Sequence, residues 1–108
     1  MELSIKDRFY IPQILPKDGS FKEFNLKRGI VAKVAITEED KKKYSITEHP
    51  EDGKIEWDPK KDSENPLSVN FSQEEIDYLK RSCENLIETA YPDEFWITVE
   101  KIYDAKIA

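Results

Sequence analysis

The sequence predicts a single small α+β domain over residues 1–108, in which helices flank a three-stranded antiparallel sheet or hairpin and two helices form the C-terminal end. Several segments begin with serine or threonine followed three residues later by a carboxylate, which is the capping-box spacing at a helix start. Between them, two short stretches alternate apolar and polar residues around Asp52-Gly53, as in a β-hairpin. A chain of 108 residues with 38% hydrophobic content can form one core without a disulfide or a metal.

The first helix is predicted over residues 4–15, where Ser4 and Asp7 have the capping-box spacing. Pro12 lacks a backbone N–H to donate, and its ring crowds the preceding helical turn. We therefore expect this helix to be kinked at the proline or to end near Ile11.

A second helix is predicted after Ser20, with Glu23 as the reciprocal partner of the cap. Gly29 in its middle predicts close packing against a neighbour or a break, because glycine disfavours a helix interior. The basic residues are expected on the solvated side, with a binding face as the alternative: Lys22, Lys27, Arg28 and Lys33. The apolar residues expected to face inward are Phe21, Phe24, Ile30, Val31 and Val34.

Residues 37–43 predict a short third helix, because acidic residues precede lysines and so complement the helix dipole. A β-hairpin is then predicted from residues 44–48 and 54–57, with Asp52-Gly53 closing the loop. The apolar residues expected on one face of this hairpin are Tyr44, Ile46, Ile55 and Trp57.

Residues 58–66 are predicted to form a surface loop, and residues 67–71 a short third strand that leads into a helix. That helix is predicted over residues 72–90, with a capping box between its first residue and Glu75. A final helix is predicted over residues 94–107, with its aromatic surface in the core or, alternatively, in a dimer contact. One stripe of this helix contains Phe95, Val99, Ile102 and Lys106, with Trp96, Tyr103 and Ile107 beside it.

Residues with catalytic or ligand-binding chemistry are few. His49 is the only histidine and is expected to be exposed in the hairpin loop. Cys83, the only cysteine, is expected to be buried and structural. Asp58, Asp62 and Glu64 lack the spacing of an EF-hand loop, and the three glycines are too dispersed for a phosphate-binding loop. We therefore expect neither an enzyme nor a cofactor or metal site.

The charge is unevenly distributed along the chain. Residues 1–36 contain seven basic and four acidic residues, a net +3, so the remainder must carry −9 to give the total of −6. The negative total argues against non-specific binding to nucleic acid. The sequence has no signal-peptide layout and no apolar run long enough to span a membrane. With its single cysteine, these features predict a cytoplasmic protein.

Three stretches carry a resemblance to known proteins. They are IKDRFYIPQILPKDGSF at the N-terminal end, VAKVAITEEDKKKYSI in the middle, and GKIEWDP after the hairpin loop. This order resembles a group of small phage and prophage proteins, in which a helix ending in a Leu-Pro turn precedes a second helix, a Thr/Ser-Glu-Glu segment and a hairpin that ends in tryptophan. The resemblance implies a phage or mobile-element context, in which small acidic proteins act by binding a host or viral protein. This group of proteins offers no activity and no site that could be transferred to this chain.

The function expected is a non-enzymatic protein–protein interaction module of phage type, such as an accessory protein or an antagonist of host defence. An acidic surface would contact a basic partner through electrostatic complementarity. One alternative is a winged-helix-like DNA-binding regulator with Lys41, Lys42, Lys43 and the hairpin near the DNA. Another is a homo-oligomeric structural component that associates through the C-terminal helices. The candidate partner-binding residues are Glu48, Glu51, Asp52, Glu56, Asp58, Asp62 and Glu64.

Overall fold

The computed structural model describes residues 1–104, which form a small α+β domain. The helices are α1 (Ile5–Ile14), α2 (Phe21–Val34), α3 (Glu38–Lys43), α4 (Pro59–Glu64), α5 (Gln73–Glu84) and α6 (Asp93–Tyr103). The strands are β1 (Glu2–Leu3), β2 (Thr47–His49), β3 (Lys54–Glu56) and β4 (Leu67–Ser68). They form two separate two-stranded antiparallel sheets, so the three-stranded sheet expected from the sequence is wrong.

Four helices begin where the sequence predicts, each at a complete capping box. The cap residues are Ser4 for α1, Ser20 for α2, Thr37 for α3 and Ser72 for α5. In each case the hydroxyl accepts a hydrogen bond from a first-turn N–H, and the carboxylate three residues on accepts one from the N–H of the cap residue. The helix starts are therefore encoded locally.

Helix α1 runs through Pro12 to Ile14, so the expectation of an end near Ile11 is wrong. Helix α5 ends at Glu84 rather than at residue 90, and turns follow it. The described part of α6 buries Phe95, Val99 and Ile102, as predicted; Lys106 and Ile107 lie outside the described residues.

The N-terminal residues provide the partner strand for the segment that follows α4. Leu3 of β1 lies opposite Leu67 of β4, and the N-terminal amino group donates a hydrogen bond to the carbonyl of Val69 over 3.0 Å. Leu3 is buried with only 1% of its surface exposed. The predicted third strand therefore exists at residues 67–68, but it pairs with β1 rather than with the hairpin.

Strands β2 and β3 form the predicted hairpin, and Gly53 in its loop has φ of +71°, a conformation that favours glycine. All residues of β2 and β3 are exposed, and 38% of the surface of Ile55 is accessible to solvent. Of the predicted apolar face, only Tyr44 is buried, and its hydroxyl donates a hydrogen bond to the carbonyl of Asn65. The hairpin therefore lies on the surface of the domain rather than across its core.

The segment predicted as a surface loop contains helix α4. The carboxylate of Asp58 accepts hydrogen bonds from the N–H groups of Lys60, at 2.9 Å, and Lys61, at 3.3 Å. Pro59 occupies the first helical turn, where a missing N–H costs nothing. The loop prediction is wrong because Asp-Pro is itself a helix-start signal.

The core lies between α1, α2, α5 and α6. Helix α2 contributes Ile30 and Val34, which are 0% and 1% exposed. Its other predicted core residues do not reach the interior: Phe21, Phe24 and Val31 are 72%, 51% and 39% exposed. The inward assignment of those three residues is therefore wrong.

Arg8 of α1 is buried and connects three elements. Its Nε donates to the carbonyl of Val34 at 3.0 Å, and its Nη2 donates to the carbonyl of Ala35 at 2.5 Å and to Oδ2 of Asp40 at 2.7 Å. These bonds satisfy carbonyls at the C-terminal end of α2 and join them to the first turn of α3. Burial raises the pKa of Asp40, but the hydrogen bonds from Arg8 and Thr37 lower it by more, so the net pKa lies below its ordinary value.

Asp7, the neighbour of Arg8, connects α1 to α6. Its carboxylate accepts hydrogen bonds from Oγ1 of Thr98 at 2.5 Å, from Nζ of Lys101, and from the N–H of Ser4 at 2.9 Å. Burial raises the pKa of Asp7, and the hydrogen bonds lower it by more, so the net pKa is below 3.8. The buried carboxylate is therefore charged at neutral pH.

Candidate protein-binding surfaces

Four residues along the solvent side of α2 form one continuous stripe, here called the α2 outer face: Phe21, Phe24, Arg28 and Val31. Their spacing of three, four and three residues places them on one side of the helix, opposite the buried Ile30. The two phenylalanines expose 72% and 51% of their surface. Helix α2 therefore has one apolar side in the core and a second in solvent.

Three side chains of the α2 outer face are in contact: Phe21, Phe24 and Arg28. The rings of Phe21 and Phe24 meet edge to face with centroids 6.4 Å apart. The guanidinium carbon of Arg28 lies 5.5 Å from the centroid of the Phe24 ring, a cation–π arrangement. The stripe consequently combines two aromatic rings with a cation.

Helix α2 is basic within an acidic protein. It contains four basic residues and one acidic residue, a net +3, whereas the whole chain carries −6. Two of the four have carboxylate neighbours on α5: Lys33 lies 2.5 Å from Glu75, and Lys22 lies 3.9 Å from Glu74. Lys27 and Arg28 have no salt bridge within residues 1–104 and form the cationic part of the solvent side.

A groove of about 650 Å³ separates α2 from the start of α5. Phe21, Lys22 and Leu26 line its α2 side, and Glu74 and Glu75 line the other side. Phe21 belongs to both the groove and the α2 outer face, so the two features form one continuous surface.

The predicted acidic residues lie on the hairpin and α4, and five of the seven already have partners within the chain. Two pair with side chains: Glu48 with Lys41 and Glu56 with His49, each at 3.3 Å. Three accept hydrogen bonds from backbone N–H groups, namely Asp52, Asp58 and Asp62. No salt bridge within residues 1–104 involves the remaining two, Glu51 and Glu64.

Only part of the acidic set is brought together at one place. A groove of about 550 Å³ at the base of the hairpin is lined by two of these acids, by one cation and by apolar side chains: Glu56, Asp62, Lys6, Ile55, Trp57 and Pro59. The loop acids, by contrast, lie at the far end of the hairpin from Glu56, whose cross-strand partner is Thr47. The acids therefore do not form one continuous surface.

The lysines of the DNA-binding alternative lie at the C-terminal end of α3. Nζ of Lys41 lies 3.3 Å from both Glu38 and Glu48, and Lys43 lies over the ring of Tyr44. The surface around these lysines is consequently mixed in charge.

The homo-oligomeric alternative depends on exposed apolar residues of α6. In the described part of that helix these are Ile97, which is 57% exposed, and Tyr103, which is 38% exposed.

The histidine is exposed and the cysteine is buried, as the sequence predicts. His49 ends strand β2 rather than lying in the hairpin loop, and it is beside Glu56. Cys83 is fully buried, which raises the pKa of its thiol to about 11. A thiol with that pKa is protonated and unreactive near neutral pH. Within residues 1–104, no group of three histidine, cysteine or carboxylate side chains is placed to hold a metal ion. In the same range no helix has the length and apolar composition required to cross a membrane.

Comparison with known proteins gave no match among protein-family models, curated proteins or solved structures. The α2 outer face was missed by sequence reasoning because its phenylalanines were assigned to the core. The three-four spacing of Phe21, Phe24, Arg28 and Val31, interrupted by a cation, was the signal available in the sequence.

Proposed function

We propose that this protein is a non-catalytic protein-binding module that docks on its partner through the α2 outer face. The observation that carries the proposal is the exposure of Phe21 and Phe24, at 72% and 51%, on a helix whose opposite side is buried. Apolar stripes of this kind on a folded domain mark interaction sites, and aromatic and arginine side chains contribute most to binding energy at such sites. In the phage context that the sequence resembles, the partner is a host or viral protein in the cytoplasm.

The test compares a double variant of the α2 outer face with a matched exposed apolar residue elsewhere. Phe21→Ser with Phe24→Ser should abolish capture of the natural partner from nuclease-treated lysate of the native host. Ile97→Ser on α6, which replaces a residue that is 57% exposed, should retain capture. The captured protein is then purified and its affinity measured by calorimetry, where the double variant should bind more than about tenfold more weakly.

Several outcomes would contradict this proposal. Capture that is unchanged in the double variant would exclude the α2 outer face. Capture that occurs in untreated lysate and is lost after nuclease treatment would favour the DNA-binding alternative. Self-association in light scattering that is lost only with Ile97→Ser would favour the homo-oligomeric alternative through α6.

The groove at the base of the hairpin supports a second contact, for a basic segment of a partner. Glu56, Asp62 and Trp57 line this groove, which combines negative charge with an aromatic anchor, and the lining cation Lys6 is paired with Glu94. Glu56→Gln should weaken binding of the captured partner, whereas Glu51→Gln at the hairpin tip should not. Asp62 is unsuitable for this test because it accepts a hydrogen bond from the N–H of Ile5 at 3.0 Å. If Glu56→Gln and Glu51→Gln weaken binding equally, the acids act through the overall negative charge of the protein rather than through this groove.

A further inference from the structure

We infer that the segment bound by the α2 outer face is an acidic amphipathic helix of the partner protein. This inference rests on the proposed function and adds the chemistry and conformation of the partner. It follows from the spacing of the exposed residues, from the charge around them and from the shape of the adjoining groove.

The spacing is the first argument. Positions 21, 24, 28 and 31 follow the alternating steps of three and four that place residues on the seam between two packed helices. Helix α2 contains 14 residues and is about 21 Å long, which accommodates two heptads of a partner helix. An extended peptide has a two-residue repeat and would not match these positions.

The charge is the second argument. Arg28 lies on the seam between Phe24 and Val31, and Lys27 lies beside it. A second copy of this chain docked through the same face would bring the Lys27 and Arg28 cations of both copies together, which costs binding energy. Glutamate or aspartate on the flanks of a partner helix would instead pair with these cations.

The groove is the third argument. It opens beside Phe21, with Leu26 on its α2 wall, and its volume of about 650 Å³ can receive one or more large side chains of a docked helix. Helix-in-groove recognition uses apolar anchors of this kind with charged flanks. Single-stranded nucleic acid could also stack on phenylalanine, but it requires a basic groove that follows its phosphates, and Glu74 and Glu75 line one wall of the groove beside Phe21.

The experiment uses three labelled peptides of equal length with leucine at heptad positions a and d. The first has glutamate at e and g, the second has lysine there, and the third has the composition of the first in an order without heptads. Binding to the full chain is followed by fluorescence anisotropy and peptide helicity by circular dichroism. The glutamate peptide should bind, gain helicity and lose affinity as salt is raised, whereas the other two should bind at least about tenfold more weakly.

A charge reversal tests the pairing directly. Arg28→Glu should reduce affinity for the glutamate peptide and increase affinity for the lysine peptide, while Lys80→Glu on α5 serves as a matched reversal away from the stripe. Equal binding of the glutamate and lysine peptides, or no change of preference with Arg28→Glu, would overturn the inference. An oligonucleotide that binds in place of the glutamate peptide, or self-association that Phe21→Ser abolishes, would overturn it as well.

These outcomes separate the inference from the proposed function. If the natural partner requires Phe21 and Phe24 but no acidic helical peptide binds, the proposed function stands and the inference is wrong. If the natural partner binds the Phe21→Ser, Phe24→Ser double variant normally, the proposed function is itself wrong.

Discussion

Two neighbouring helices distribute their residues in opposite ways. Helix α1 buries a carboxylate and a guanidinium, with Asp7 and Arg8 only 3% and 4% exposed, whereas α2 exposes Phe21 and Phe24. Each buried charge has an ion partner and further hydrogen bonds, which offset the cost of leaving water. The difference shows that partners, rather than residue type alone, determine which side chains this domain buries.

The two regions should consequently differ in what they contribute. Asp7 and Arg8 join α1 to α6, to the end of α2 and to the start of α3, so their bonds hold the helices in place. Within residues 1–104, the aromatic and cation–π contacts of Phe21 and Phe24 are all with residues of α2 itself. We therefore expect the charged pair to contribute stability and the aromatic pair to contribute binding.

The largest expected effect comes from Arg8→Ala. It removes the Arg8 donor from two carbonyls and from Asp40, which keeps only its hydrogen bonds from Thr37. Removing one partner of a buried ion pair costs about 3–5 kcal/mol of unfolding free energy. Phe24→Ala should cost less than about 1 kcal/mol because half of that ring is already in solvent. Urea denaturation measures the loss of unfolding free energy in both variants, provided that their m-values equal that of the unmodified chain.

Two results would contradict this comparison. A loss of more than about 2 kcal/mol in Phe24→Ala would indicate that the ring packs as a core residue. A loss of less than about 1 kcal/mol in Arg8→Ala would indicate that water replaces the guanidinium at Asp40.

Local signals in the sequence predicted the helix starts but not the long-range pairings. The boxes at Ser4 and Ser72 depend on residues three positions apart, and both occur as predicted. The pairing of Leu3 with Leu67 joins the two ends of a long stretch of chain, and nothing in either segment specifies the other. The sequence pattern showed that residue 67 begins a strand, but the fold determined its partner.

The error in α2 has a different physical origin. Its apolar residues cover two sides of the helix, and a hydrophobic pattern cannot show which side meets the core. Ile30 and Val34 occupy the interior, so Phe21, Phe24 and Val31 remain outside. The acidic residues were predicted from charge alone, and the fold uses Asp58 and Asp62 for helix capping and for holding the start of α1.

An intermediate effect is expected from acid, which protonates the carboxylates whose pKa values the fold lowers. The net pKa values of Asp7 and Asp40 lie below their ordinary 3.8, and that of Glu75 lies below 4.5. Lowered folded-state values mean that stability from these groups is fully present above the unfolded values and is lost as pH falls through the folded ones. Stability should therefore decline from about pH 4.5 downward, with its steepest loss below about pH 4.

Asp7→Asn identifies the contribution of one carboxylate to this profile. The variant should lose about 1–3 kcal/mol at pH 7, where Lys101 and Thr98 no longer face a charge, and its stability should vary less steeply with pH below about pH 4. Urea midpoints measured at successive pH values test this. A profile parallel to that of the unmodified chain would show that Asp7 does not titrate with a lowered pKa.

The smallest expected effect concerns Gly29, where α2 lies close to the carboxylate of Glu75 on α5. A Cβ added at Gly29 would lie 3.0 Å from Oε2 of Glu75, while Oε1 of that carboxylate is held by Lys33 and by the N–H of Ser72, at 2.5 and 2.8 Å. Gly29→Ala should therefore forfeit the helix-propensity gain of about 1 kcal/mol that alanine gives elsewhere. In a Glu75→Ala background the gain should reappear, and Ala32→Gly on the solvent side measures the same propensity difference without this contact. If Gly29→Ala stabilises both backgrounds equally, the carboxylate moves aside freely, and glycine is not required for the approach of α5 to α2.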